Sequence, residues 1–249
     1  MAAAAAINYA AQGQPLTPQE LVTHYPRLFH MAAAGTWPLI QEHGLLTTRQ
    51  LVDACNPPLE LRQAVLNGHR PNNVTLQHPS GGVVIIRDQA PLRQVFMPGC
   101  LQDITSQEWL DVLNRRVFFW LHPDKLTKLL NARRYRRNAH DVLTVDTASL
   151  FESHAERVRL SPINSGATLY PNAPKRGHDT FQPVIDYPFA QRRQTRTLRD
   201  AVVELAVIDG VPDIAKHTIR VERRRGHEIL EVLFSRHASN YHARHPQRR

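Results

Sequence analysis

Ala201-Val202-Val203-Glu204-Leu205-Ala206-Val207-Ile208-Asp209-Gly210-Val211-Pro212 sets one carboxylate inside an apolar run that ends in a turn. A charged group in such a run is costly unless it is paired, borders a cleft or faces solvent from an edge strand. The run reads as a strand, and an edge-strand role for Glu204 stands beside a functional one. A second segment bears on that choice. Arg27-Leu28-Phe29-His30-Met31-Ala32 reads as a short apolar strand carrying a histidine, followed by a helix and Gly44. Together the two strands point to a cofactor cleft.

The chain has 249 residues, 42% of them hydrophobic and 21% charged, the balance of a globular protein with a sizeable core. It reads as a single domain over 16–236, with a disordered tail at 1–15 and a disordered basic tail at 237–249. No apolar run approaches the roughly 18–20 residues of a membrane span. The Met1–Ala6 stretch lacks the basic start of a signal peptide. Two widely spaced cysteines, Cys55 and Cys100, fit a reduced, cytoplasmic protein better than a disulfide framework. A net charge of +9 permits attraction to DNA or RNA. The arginines cluster at 133–137, 192–199 and 223–225, where a solvated face and a nucleic-acid contact are both readings.

Thr17-Pro18-Gln19-Glu20 and Thr105-Ser106-Gln107-Glu108 are capping boxes, opening helices that run to about Tyr25 and past Leu113. Helices are also predicted at Ala33–His43, Thr48–Ala54, Leu59–Asn67, Lys125–Leu130 and Thr147–His154. Strands are predicted at Arg27–Met31, Val74–Leu76, Val83–Arg87, Val117–Leu121, Val142–Val145 and around Glu204. Ile219–Arg223 and Glu228–Phe234 pair across Arg225-Gly226. Residues 161–199, rich in Pro, Gly, Asn and Arg, form a long loop that is either functional or partly mobile. Strands and short helices without regular alternation give an α+β fold.

Several chemistries lack their residues. There is no Gly-x-Gly-x-x-Gly and no Walker loop to cradle phosphates. No His-Glu-x-x-His or Cys-x-x-Cys spacing supports a metal, and His237, His242 and His245 sit in a tail that would hold one poorly. Asn164-Ser165-Gly166 lacks the first glycine of a nucleophile elbow.

Leu28-Phe29-His30-Met31-Ala32, then Trp37 to Leu45 through a helix into Gly44-Leu45, resembles the opening of two ADP-ribosyltransferase branches. These are the DarT-like DNA-modifying enzymes and the RNA 2′-phosphotransferases. Val203-Glu204-Leu205-Ala206-Val207 with Val211-Pro212 is similar to the DarT-like glutamate strand. Nearly the whole chain from about Pro26 to Ile214 also resembles an uncharacterised bacterial family. Its recurring segments include Ile86-Arg87-Asp88-Gln89, Arg116-Val117-Phe118-Phe119-Trp120, Val142-Leu143-Thr144-Val145-Asp146 and Pro162-Ile163-Asn164-Ser165-Gly166.

The transferase resemblance implies a split mixed or antiparallel sheet with flanking short helices, and NAD as substrate. It implies Glu204 as the catalytic carboxylate, supporting cleavage of the nicotinamide–ribose bond through a ribosyl cation. His30 would bind a ribose hydroxyl, and Phe119 or Trp120 would stack on nicotinamide, period-two alternation allowing only one of them. Arg87 would take the pyrophosphate, and Asn164 and Ser165 would contact a base acceptor. Val202, two residues before Glu204, stands where arginine-modifying relatives carry an acid or amide, which favours a nucleic-acid or small-molecule acceptor. A phosphotransferase reading would use Arg70, Arg87 and Arg133. A non-catalytic nucleic-acid-binding module on the same fold is the other alternative. An antitoxin-like partner stays open.

Overall fold

The computed structural model describes residues 15–236. Residues 1–14 of the tail expected at 1–15, and the whole tail expected at 237–249 with His237, His242 and His245, lie outside the described residues. α1 (Pro18–His24) starts where Thr17 accepts from the Glu20 N–H and the Glu20 carboxylate takes the Thr17 N–H. β1 (Arg27–Ala33) follows. The helix expected from Ala33 begins only at Trp37, as α2 (Trp37–His43). Ala33 is held in the sheet opposite His140, and the buried Asp141 carboxylate accepts from the Gly35 and Trp37 N–H groups. That carboxylate anchors the helix start, for which Thr36 supplies no side-chain cap.

α3 (Thr48–Cys55) and α4 (Leu59–Asn67) lead into the hairpin of β2 (Val74–Gln77) and β3 (Val83–Ile86). Next come α5 (Met97–Cys100), α6 (Ser106–Asn114), β4 (Arg116–Trp120), α7 (Pro123–Leu130), β5 (His140–Asp146) and α8 (Thr147–His154). β6 (Val158–Ser161) was not expected. Residues 161–199 are not one irregular loop, because they hold two 3-10 turns, α9 (Phe189–Arg193) and the start of α10 (Leu198–Ala201). β7 (Glu204–Ile208), α11 (Ile214–His217), β8 (Thr218–Arg225) and β9 (Glu228–Ser235) complete the described chain.

The strand read from Ala201 begins at Glu204 instead. The Ala201 carbonyl is taken by Tyr187 Oη (2.6 Å) and Arg192 Nε (2.6 Å), and the Leu198 carbonyl by Tyr25 Oη (2.7 Å). Bonded to two side chains, the Ala201 carbonyl is not free to join a ladder. Glu204 is therefore the first residue of its strand.

Seven strands form one sheet in the order β6-β7-β4-β1-β5-β8-β9, and β2 and β3 form a second. Every pairing between these strands is antiparallel, which corrects the mixed option. The fold is α+β, with helices flanking a mostly antiparallel sheet. On one face Leu28, Phe119, Leu143, Val145, Leu205 and Val207 build the main core. The small sheet with α3 and α4 has a core of its own around Val52, Val65, Leu76 and Ile86. Within the large sheet, β1 and β4 share only the pair Phe29–Trp120, whereas β1 and β5 pair along seven positions.

Two motifs far apart in sequence lock together. Leu45 and Val211 exchange backbone hydrogen bonds (both 2.9 Å), and Gly44 closes α2 at φ +90°, ψ 171°. A Cβ on Gly44 would lie 2.5 Å from the Pro212 Cα and 2.6 Å from its carbonyl oxygen. That backbone region is essentially reserved for glycine. We expect Gly44→Ala to cost at least about 2 kcal/mol in urea denaturation, from backbone strain plus overpacking.

Candidate functional site

A cleft of about 340 Å³ opens between the large sheet and the small-sheet layer. Glu204, His30, Arg87, Phe119, Trp120, Asn164 and Ser165 all border it. They come from β7, β1, the residue after β3, β4 and the 162–181 segment.

Glu204 is 5% exposed. Its Oε2 accepts from the Ser165 N–H (3.0 Å) and the Ser165 hydroxyl (2.7 Å). Burial pushes its carboxyl up to about 7, against the pull of those two bonds and of the Arg176 charge. Ser165, read from the sequence as a contact for a base acceptor, holds the carboxylate. Arg176, 1% exposed, fixes the segment that presents Ser165. Its guanidinium donates to the carbonyls of Pro174 (3.2 and 3.0 Å), Ser165 (3.1 Å) and Ala167 (3.0 Å). Nothing in the sequence marked Arg176, because a side chain that bonds main-chain carbonyls has no fixed partner type or spacing.

His30 and Arg87 owe their positions to the nearly unpaired β1–β4 seam. Where two strands part, backbone carbonyls lose their ladder partners and need others. His30 Nδ1 lies 2.8 Å from the Phe118 carbonyl, and Arg87 Nη1 donates to the Met31 carbonyl at 2.9 Å. A carbonyl can only accept, so the His30 proton sits on Nδ1 and Nε2 carries a lone pair. Burial holds the pKa of His30 down to about 4, with the Arg87 charge adding to the effect, so the ring is neutral at pH 7.

Arg87 lies over the Tyr135 ring, 5.0 Å from its centre. Burial lowers its pKa, and it forms no salt bridge among the described residues. The neighbouring Asp88 is engaged by Arg134 (3.1 Å) and by the Tyr135 hydroxyl (3.0 Å). Among those residues Arg87 Nε and Nη2 have no hydrogen-bond partner, which leaves part of a planar fork suited to an anion. Arg70 and Arg116 also line the cleft and likewise form no salt bridge there, whereas Arg133 does not border it. Tyr135 was missed because the run around it read only as charge.

Register decides between the two aromatics. Trp120 pairs with Glu204 and Phe119 with Leu205, so Trp120 shares the glutamate's face. Phe119 is 1% exposed in the main core, where its ring packs on His30 with centroids 5.7 Å apart. By alternation His30 lies on the Phe119 face and Glu204 on the other, and the parted seam lets both border one cleft. Asn164 reaches the cleft beside Ser165.

One group outside the cleft has the residue types of a metal site. His154 Nε2 is 2.7 Å and His217 Nε2 is 3.4 Å from Asp213 Oδ1. Arg157 donates to His154 Nδ1 at 2.6 Å, so the His154 proton sits on Nε2 and points to Asp213. A cation there would have to displace that proton and break the arginine contact. The group reads as a hydrogen-bonded brace between α8 and α11.

A family model described as a family of unknown function (DUF7002) matches residues 26–218. No curated protein matches the chain, and no solved structure matches it. The matched span agrees with the stretch from about Pro26 to Ile214 read as an uncharacterised family. The match carries no activity with it.

Proposed function

We propose, for a chain that belongs to the DUF7002 family of unknown function, that the cleft binds NAD and cleaves its nicotinamide–ribose bond, as an ADP-ribosyltransferase-like enzyme. One observation carries the reading: a neutral imidazole, an incompletely bonded guanidinium, an indole and a buried carboxylate border the same cleft. The nearly unpaired β1–β4 seam supports the split-sheet fold expected for such an enzyme.

Each group has a physical task. Arg87 offers its remaining N–H groups to the pyrophosphate. His30 Nε2 accepts from a ribose hydroxyl, and Trp120 stacks on the nicotinamide ring. The C–N bond breaks with its electron pair leaving on nicotinamide, and positive charge develops on the ribose carbon. Glu204, ionised beside that charge and itself largely shielded from solvent, stabilises it. An acceptor nucleophile then bonds to that carbon and gives up its proton to the carboxylate or to water. A carboxyl whose pKa lies near 7 can serve both as the counter-charge and as the proton acceptor.

The presence of Arg70, Arg87 and Arg116 in the cleft keeps an RNA 2′-phosphotransferase-like reading in view. It differs in requiring NAD for loss of phosphate from a 2′-phosphorylated oligoribonucleotide. Thermal denaturation with NAD tests both. Ligand at a hundredfold its Kd adds about 2.7 kcal/mol, or roughly 5–10 °C for a chain of this size. Arg87→Gln should remove most of that shift. No shift in the parent protein at millimolar NAD would sink both readings.

A further inference from the structure

Two arginines in the cleft are built alike. Arg87 and Arg116 each give Nη1 to a main-chain carbonyl, that of Met31 at 2.9 Å and that of Val112 at 2.6 Å. Each guanidinium lies over an aromatic ring, Tyr135 at 5.0 Å and Phe181 at 4.9 Å from the ring centre. Both border the cleft, and neither forms a salt bridge among the described residues. Arg116 Nε is buried without a partner, and its Nη2 makes no hydrogen bond among those residues. Each arginine therefore keeps its Nε–Nη2 edge, the side of the fork that takes two oxygens of one anion. The acids whose charges act on Arg116 are already engaged, Asp111 by Arg49 and Asp209 by Arg115. The chemistry above employs Arg87 alone, and a buried donor left bare is costly unless a ligand or water meets it.

The sheet gives the spacing of the two forks. Trp120 pairs with Glu204 and Arg116 with Ile208, so Arg116 leaves the same face as Trp120 and Glu204, four residues away along β4. At the rise of a strand that is roughly 13 Å. β1 and β4 run antiparallel from the Phe29–Trp120 pair, so Met31, which anchors Arg87, lies about 7 Å off in the same direction. Nicotinamide on Trp120 and pyrophosphate on Arg87 therefore send the adenosine half of the dinucleotide toward Arg116. No free carboxylate awaits its ribose. Besides Glu204, the acid bordering the cleft among the described residues is Asp88, held by Arg134 and Tyr135.

We propose that the dinucleotide carries a phosphate on its adenosine ribose, so that the cleft takes NADP in preference to NAD, with the 2′-phosphate on the Nε–Nη2 edge of Arg116. The inference rests on the reading above for the reaction at Glu204 and refines its substrate. In dinucleotide sites an acid beside this ribose selects the free 2′-hydroxyl, and an arginine accommodates the phosphate. Burial lowers the pKa of Arg116, and the Arg159 and Arg115 charges push the same way, so a doubly charged phosphate offsets all three. A phosphate on the acceptor would not suit Arg116. An acceptor must reach the ribose carbon beside Glu204, at the other end of β4.

The test is isothermal titration calorimetry of the full chain with NAD, NADP and adenosine 2′,5′-bisphosphate, at physiological ionic strength to screen unspecific attraction. NADP should bind at least about tenfold tighter than NAD, the worth of hydrogen bonds to a charged group. Arg116→Gln should bring that ratio to about one. Arg116→Lys keeps the charge without the fork, should give an intermediate ratio, and decides the matter if the glutamine variant does not fold. Arg159→Gln removes a neighbouring charge that does not border the cleft and should keep the parental ratio. Equal affinities for the two dinucleotides in the parent, or an undiminished ratio in the Arg116 variants, overturns the proposal and leaves the NAD reading standing. The bisphosphate lacks nicotinamide. Its Arg116-dependent binding, with neither dinucleotide cleaved, would uphold the phosphate site and remove the enzyme reading.

Discussion

Glu204→Gln should yield a protein more stable than the parent above pH 7, equal to it near pH 4.5 and, under the proposed reaction, at least about a hundredfold slower in cleaving NAD. The buried carboxyl has its pKa raised from 4.5 to about 7. A raised acid contributes stability that is complete below its unfolded value and lost as pH climbs through the folded one. That loss amounts to on the order of 3 kcal/mol. Glutamine keeps an oxygen for Ser165 and carries no charge, so it avoids the loss. Turnover, by contrast, should fall at least about a hundredfold, since the developing cation loses its counter-charge.

His30 sharpens this expectation. Its pKa falls from 6.5 to about 4, so its contribution is complete above pH 6.5 and lost as pH falls through 4. Between pH 4.5 and 6.5 the two slopes oppose each other, and the parent's stability should be nearly flat with respect to them. Removing Glu204 exposes the histidine slope, so the variant's stability should rise across that interval. Urea denaturation at pH 4.5, 6.5 and 8 reads all of this. A variant destabilised at every pH would make Glu204 a structural residue; gained stability with lost turnover is the mark of a functional one.

Arg176→Met should cost about 3–5 kcal/mol, the largest stability loss expected from any single change around the cleft. Methionine matches much of the volume but leaves the Pro174, Ser165 and Ala167 carbonyls without their donor. Each buried acceptor left bare costs about 1–3 kcal/mol. Lysine restores the charge and not the fork, and should recover only part of the loss. The effect should also appear locally. The Ser165 amide, now bonded to Glu204, should exchange with solvent much faster in the variant, and the pH profile of turnover should move upward as the carboxyl loses a nearby positive charge. Exchange at Ser165 equal to the parent's would show that Arg176 does not position it.

Local signals in the sequence carried the elements, and long-range hydrogen bonding carried the site. Thr17-Pro18-Gln19-Glu20 and Thr105-Ser106-Gln107-Glu108 were legible because a capping box closes within four residues. Leu59–Asn67 was legible because Gly68 ends it. The start of α2 was not, since Asp141 fixes it from a hundred residues away. Nor was the start of β7, where Tyr187 and Arg192 take the Ala201 carbonyl. Glu204 and His30 stood out as polar groups in apolar strands, and that anomaly is visible in one dimension. Ser165 was noticed for a different task, and Arg176 was invisible because main-chain carbonyls carry no residue identity. Which of Phe119 and Trp120 shares the glutamate's face needed the register against β7.

A β-sheet ordinarily loosens from its borders inward, with its middle rungs the last to yield. Here the middle is where rungs are missing, and His30 and Arg87 bond carbonyls on the two strands flanking the gap. The molecule is in effect two ladders leaning together at Phe29 and Trp120. A ligand seated in the gap would stand in for the absent rungs, so binding should brace the two halves against each other and stiffen strands far from any contact with it.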